Sequence, residues 1–195
     1  MPLVSPRPAG FPTVKLTVDQ LSQLPEDGLR HELLDGEHVV TPSPNLRHQV
    51  LLLRLAFAIE TFVRRERTGQ VFVAPLDVVF SRFDLTEPDL LYVSNERRAV
   101  LTKKNVQGAP DLAVEILSAS TADRDRGAKQ QIYQTFGVRE YWIVDPEADT
   151  IDRLVFSPTG AAAGPGFEHH LRVGDELVSE LLPGFSLDLE VFFRE

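Results

Sequence analysis

Glu115 is the residue whose surroundings ask for chemistry. It lies in Pro110-Asp111-Leu112-Ala113-Val114-Glu115-Ile116-Leu117, a run that reads as a buried strand. Alternation sends Leu112, Val114 and Ile116 to one face and Asp111, Ala113 and Glu115 to the other. A carboxylate between Val and Ile in a core strand is costly unless it is paired or holds a metal. A second acid, Asp89, opens the apolar run of Glu87-Pro88-Asp89-Leu90-Leu91-Tyr92-Val93. Lys129 follows on a segment with helical periodicity. Two strand-borne acids and a lysine are the parts of a divalent-metal phosphodiesterase. That reaction needs a metal on the phosphoryl oxygen, an oriented water and charge neutralisation in the transition state. Mg²⁺ takes oxygen ligands from one or two carboxylates and keeps several waters. Asp89 and Glu115 suit Mg²⁺ or Mn²⁺ if their strands are neighbours, and the Ile116 backbone carbonyl offers a third ligand. Lys129 is placed to orient the water or balance the phosphate.

Each candidate also has an ordinary structural role. Lys129 can pair with Asp125 four residues earlier on a helix surface. Glu32, just before the Asp35-Gly36 turn, reads alone as a surface acid. His48 reads as a cap or packed side chain. Asp77, among Leu76, Val78 and Val79, is expected to meet a partner inside. Trp142, in Tyr141-Trp142-Ile143-Val144-Asp145, is expected to pack. The five histidines show no metal-protease spacing.

The elements that must position these groups follow from periodicity. Thr17–Leu24 reads as a short helix with Thr17 as N-cap and Gln20 at the capping-box position. His31–Val40 reads as a hairpin about Asp35-Gly36. Asn45–Arg67 is a long helix with Leu52, Leu55, Ala56, Ile59 and Phe62 or Val63 on its buried stripe. Gln70–Phe80 reads as a strand with an edge, bulge or break at Pro75. Asp89–Val93 and Asp111–Leu117 are strands. Asp123–Phe136 reads as an amphipathic helix buried through Ala128, Ile132 and Phe136, with Gly137 as a good terminator. Glu140–Val144 and Thr150–Phe156 form a hairpin, and Glu168–Val173 and Ser186–Leu189 are short strands. This order implies a mixed α/β (α+β) domain with a central sheet and helices on its faces.

Composition sets limits. The 195 residues are 43% hydrophobic and 25% charged, ordinary for one globular domain with a sizeable core. The chain has no cysteine, which removes disulfides, thiolate zinc sites and cysteine nucleophiles. Its formal charge of −9 argues against a general nucleic-acid coating protein. Basic residues are grouped as Arg64, Arg65 and Arg67, as Arg97, Arg98, Lys103 and Lys104, and as Arg124, Arg126 and Lys129. No apolar run approaches the roughly 18 residues of a membrane span. The Pro-rich start, residues 1–12, reads as a flexible arm of a cytoplasmic protein, with residues 13–195 as its single domain.

In combination these segments are familiar. The sequence resembles the Uma-two (Uma2) family of restriction-endonuclease-like proteins, within the PD-(D/E)XK nuclease superfamily. The matching pieces are His31-Glu32-Leu33-Leu34-Asp35-Gly36-Glu37, Pro44 to His48, Pro75-Leu76-Asp77-Val78, Glu87-Pro88-Asp89-Leu90 and Pro110 to Ser118. Asp125-Arg126-Gly127-Ala128-Lys129, Tyr133 and Gly137 to Asp145 complete the set. The resemblance implies a restriction-endonuclease-like core, a central mixed β-sheet flanked by helices with a metal site at one end. It implies Asp89 as the motif aspartate, Glu115 as the second metal carboxylate and Glu32 as a helper acid. The superfamily pattern expects lysine two residues after Glu115, where this chain has Leu117. In this family the lysine is displaced to the next helix, at Lys129.

Two functions are expected from this reading. One is a Mg²⁺-dependent endonuclease acting on DNA, with RNA left open, and with a homodimer because double-strand cutters use two sites about a two-fold axis. The other is a non-catalytic binding or regulatory module on the same fold.

Overall fold

The alternation around Glu115 becomes a central strand of a mixed sheet. The computed structural model describes residues 15–25, 27–156 and 167–194. The expected N-terminal arm, residues 1–12, lies outside the described residues.

The chain begins with α1 (Val18–Leu21), which carries both halves of the Thr17/Gln20 capping box but is shorter than its periodicity suggested. The hairpin of β1 (Arg30–Leu34) and β2 (Glu37–Thr41) turns at Asp35 and Gly36. Both turn residues have positive φ, 51° and 79°, as a tight right-twisted hairpin requires. Next comes α2 (Leu46–Glu66), capped by the Asn45 side chain on the His48 N–H. Replacing Asn45 with Ala leaves that N–H unsatisfied and is expected to cost about 1 kcal/mol, read by chemical denaturation.

The expected Gln70–Phe80 strand is interrupted at the cis Ala74–Pro75 bond. Its two halves are β3 (Gly69–Val73) and β4 (Val78–Val79), which join different sheets. β4 pairs with β5 (Leu85–Thr86), which bridges to β1, and runs parallel to β7 (Val106–Gln107). With the hairpin they form a five-stranded sheet ordered β2-β1-β5-β4-β7.

The main sheet has six strands. β3 pairs antiparallel with β6 (Leu90–Ser94), which pairs antiparallel with β8 (Leu112–Ile116). β8 runs parallel to β9 (Glu140–Asp145). β10 (Thr150–Val155) and β11 (Phe167–Arg172) continue antiparallel to the edge. The sheet is therefore mixed, and helices cover it. On one face Leu51, Leu55 and Ile59 of α2 meet Leu112, Val114, Ile116 and Trp142. On the other, Ala113 joins Ile132, Tyr133, Tyr141 and Leu154. Trp142 packs as expected and donates its indole N–H to Glu140.

The C-terminal segment completes this architecture. β11 extends the sheet, and β12 (Glu176–Val178) pairs with β13 (Ser186–Asp188). Leu177, Leu182, Phe185 and the apolar side of α5 (Leu189–Phe193) enter the core beneath α2.

The helix expected over Asp123–Phe136 differs in phase. It comprises α3 (Ala122–Arg124), a π-helical stretch at Asp125–Lys129, and α4 (Gln130–Phe136). Ala128 and Phe136 are exposed, and the buried stripe is Asp125, Lys129, Ile132 and Tyr133. A π turn is wider than an α turn, so it shifts the angular register of the residues on either side. Asp125, Lys129, Ile132 and Tyr133 keep the i, i+4, i+7, i+8 spacing of one helical face, and the packing of that face inward is what buries Lys129.

Candidate active site

Continuing the Leu90–Val114 register by one pair sets Asp89 opposite Glu115. Glu115 is the penultimate residue of β8, and Asp89 immediately precedes β6. Both acids line a cavity of about 260 Å³, together with Arg30, His48, Asp125 and Lys129.

Lys129 is the centre of one half of the site. It is 2% exposed. Its Nζ lies 2.9 Å from Glu32 Oε1, 3.0 Å from Glu115 Oε1 and 3.4 Å from Asp125 Oδ1. The ordinary pairing with Asp125 therefore exists, but as one arm of a buried three-carboxylate clasp. Burial alone would pull the ammonium pKa down, and Glu115, Glu32 and Asp125 outweigh it, so the ammonium is held above its usual range. Burial raises Glu115 well above the ordinary carboxylate range; Lys129 opposes this, while Asp125, Asp89 and Glu32 add to it. Burial raises Asp125 as well, against Lys129.

Glu32 is fully buried, contrary to the surface acid expected from the residue alone. β1 carries it inward, where Oε1 accepts the Glu87 N–H at 2.8 Å and Oε2 accepts the Thr41 hydroxyl at 3.3 Å. With Lys129 also on Oε1, its acceptors are largely spoken for, and it acts as a brace for the lysine.

Asp89 is held by a different set. Oδ1 accepts from Arg30 Nη1 at 2.9 Å, and Oδ2 accepts the Ile116 backbone N–H at 2.8 Å. His48 Nε2 is 3.1 Å from Oδ2. Burial would raise Asp89, but His48, Arg30 and the Ile116 N–H together hold its carboxyl below the usual range. An ionised carboxylate only accepts, so His48 presents Nε2–H to it. The Ile116 N–H faces Asp89, and in an extended strand the carbonyl of the same residue faces the same side. The register places Pro88 opposite Ile116, and proline has no N–H to give that carbonyl.

Four of these groups escaped the sequence reading as site residues: Arg30, His48, Asp125 and Tyr133. Tyr133 donates its hydroxyl to Glu115 Oε1 at 2.7 Å. Local signals existed for three of them. Arg30 lies two residues before Glu32 on the same strand face. Asp125 and Tyr133 lie four residues either side of Lys129. His48 had no local signal, because its partner is 41 residues away. Asp77 is only half-buried and lines a second, larger cleft of about 910 Å³ near Lys104, so the expected interior partner is not its setting. That cleft adjoins the site through Arg30 and Asp89. Glu87 lines it too, pushed up to about 7 by burial and by Asp77, against Arg30.

Two of the basic clusters are partly structural. Arg97 donates to the Gly137 and Pro110 carbonyls and pairs with Asp111. Arg126 pairs with Asp152 and Asp145, and Lys129 is in the core.

The donor set suits a hard divalent cation. Four buried carboxylates, Glu32, Asp89, Glu115 and Asp125, face two fixed cations, Arg30 and Lys129, which leaves a surplus of negative charge. Asp125 Oδ1 and His48 Nδ1 are buried without a hydrogen bond. Among the described residues no three His, Asp or Glu side chains converge as a ready-made metal cage. An ion that keeps several waters needs only one or two carboxylates.

A mixed sheet flanked by helices, with paired acids and a lysine at one end, defines the class of protein. A family model, Uma2, described as "Putative restriction endonuclease", matches residues 18–190. The chain belongs to that family. Its fold is similar to a crystal structure from Anabaena variabilis ATCC 29413 described as a "putative nuclease belonging to DUF820". The TM-score is 0.76 at 20% identity, covering 91% of this chain and 97% of that one. No curated protein matches the chain. Among the described residues no helix is long and apolar enough to cross a membrane.

Proposed function

We propose that this protein is a Mg²⁺- or Mn²⁺-dependent endonuclease that hydrolyses DNA phosphodiester bonds. The observation that carries the reading is the joining of Asp89 and Glu115 in one cavity, with the Lys129 ammonium 3.0 Å from Glu115. Asp89, Glu115 and the Ile116 carbonyl would hold the metal. When bound, it would polarise the phosphoryl group and activate water.

The chain's own residues have separable roles. Arg30, His48 and the Ile116 N–H keep Asp89 ionised and aimed. The Tyr133 hydroxyl holds Glu115 in one rotamer. Lys129 keeps its proton, because three carboxylates raise its pKa. It therefore serves as a fixed positive charge and donor, and not as a general base. Glu32 positions Lys129.

A second reading, a non-catalytic module, draws on one observation: every charge at the site already has a partner from the chain. Plasmid nicking with Mg²⁺ or Mn²⁺ separates the two. Wild type is expected to nick, and Asp89→Asn to lose at least about 100-fold, since even supporting residues of a metal site cost 10–100-fold. Metal binding in calorimetry without nicking of DNA or cleavage of RNA would favour the module.

A further inference from the structure

The outer face of α2 carries Leu46, Val50, Leu53 and Phe57, which are 86%, 46%, 72% and 73% exposed. Their spacing of four, three and four residues is the rhythm of a coiled-coil seam. At 3.6 residues per turn they fall within roughly 60° of one another. They lie opposite Leu51, Leu55 and Ile59, which are buried against the sheet. A helix with one solvated face is expected to be polar there. Instead, α2 is apolar on both faces, and among the described residues nothing covers the outer seam.

We infer that a second copy of this chain covers it, with α2 packed antiparallel on α2 about a two-fold axis. The spacing reads the same in both directions. A two-fold axis crossing the helix between positions 51 and 52 therefore sets Leu46 against Phe57 of the second copy and Val50 against its Leu53. That is the self-complementarity an isologous interface needs. The area is sufficient. Side chains of these sizes at these exposures offer on the order of 500 Å² per copy, so full coverage by two copies buries about 1,000 Å², the lower bound for a biological interface. Leu53 also borders the larger cleft, where Leu24, Leu29 and Val73 are exposed, so the apolar surface continues past the seam. Glu60 and Arg64 end it on the C-terminal side. The inference rests on this helix surface and stands apart from the nuclease reading.

The inner side of the same helix delivers His48 to Asp89, so the dimer relates two candidate sites by its two-fold axis.

The test is sedimentation equilibrium of the full chain, wild type against Leu53→Glu. Wild type is expected at twice the chain mass. Leu53→Glu is expected to weaken association at least about 100-fold by burying a carboxylate against Val50 of the second copy, with the symmetry-related carboxylate on the neighbouring diagonal. Its circular dichroism should stay unchanged, because residue 53 is solvent-facing in one chain, and its Tm should fall only by the loss of association and no longer depend on protein concentration. A wild type that is monomeric at about 100 µM would overturn the proposal, as would a Leu53→Glu protein that stays dimeric. Orientation is read by cross-linking, since the chain has no cysteine of its own. Leu46→Cys chains mixed with Phe57→Cys chains should form covalent dimers on oxidation, and neither should cross-link alone. Self-cross-linking by Leu46→Cys alone would overturn the antiparallel arrangement.

Discussion

Glu115→Gln is expected to abolish the proposed metal-dependent nicking while leaving the metal-free protein about as stable as wild type. The carboxylate sits at the end of β8, fully buried, and three other acids add to the burial that raises its pKa. An amide of the same shape keeps the Tyr133 and Lys129 contacts through its oxygen. It also removes one of the mutually repelling carboxylates, so the apo fold loses little. It cannot supply a charged ligand, so metal binding falls. Saturating metal adds about 2.7 kcal/mol at a hundred times its Kd. For a domain of this size each kcal/mol moves Tm by about 2–4 °C. Wild type should therefore show a metal-induced rise of several degrees, and Glu115→Gln should show almost none. Full nicking by the variant in a nuclease-free preparation would move the metal site elsewhere.

Lys129→Met is expected to have the largest effect on stability. Methionine fills the space of the lysine stem but leaves Glu32, Glu115 and Asp125 without their shared cation. Breaking a buried ion pair from one side costs about 3–5 kcal/mol, which is a Tm fall of about 10 °C. The loss depends on pH, and its sign follows from linkage. Burial already raises Glu115 and Asp125 against the pull of Lys129, and without the ammonium their folded-state pKa values rise further above the unfolded ones. The native state then binds more protons than the unfolded state, and stability falls as pH rises. The deficit should be small near pH 3, below the unfolded carboxyl pKa values of about 4, and should grow toward pH 8. Urea denaturation at the two ends of that range measures it. Adding Glu115→Gln to Lys129→Met should restore part of the loss, because the two residues are in contact and their effects are not additive. A variant equally stable at both pH values would mean that the clasp carries no net charge energy.

Much of the fold was legible because its signals are local. The Asp35-Gly36 turn, the Thr17 capping box, the Asn45–Arg67 helix and the alternation around Glu115 each depend on neighbours within a few residues. The break at Pro75 was legible for the same reason, but its consequence was not. Whether β3 and β4 share a sheet depends on their pairing partners, β6 for β3 and β5 and β7 for β4, which the break itself does not reveal. The helical wheel set on Ala128, Ile132 and Phe136 has the right period but the wrong phase, because only tertiary packing turns Asp125, Lys129 and Tyr133 inward with Ile132. Ala128 and Phe136 were placed inside on that wheel, and Lys129 took the position that the true phase buries.

The sequence by itself determined which residue types could do chemistry and on which elements they ride: Asp89 and Glu115 on strands, Lys129 on a helix, Glu32 on a hairpin. Those assignments rest on periodicity and on the cost of an acid in an apolar strand, and both are properties of short segments. Only the tertiary structure decided who partners whom. His48 reaches Asp89 across 41 positions, and Arg30 reaches it across 59. Glu32, 97 positions before Lys129, braces that lysine from the other sheet. Charge pairing acts over a few ångströms in space and carries no mark of separation along the chain. The partners of a buried acid are therefore chosen by packing, after the local elements have formed.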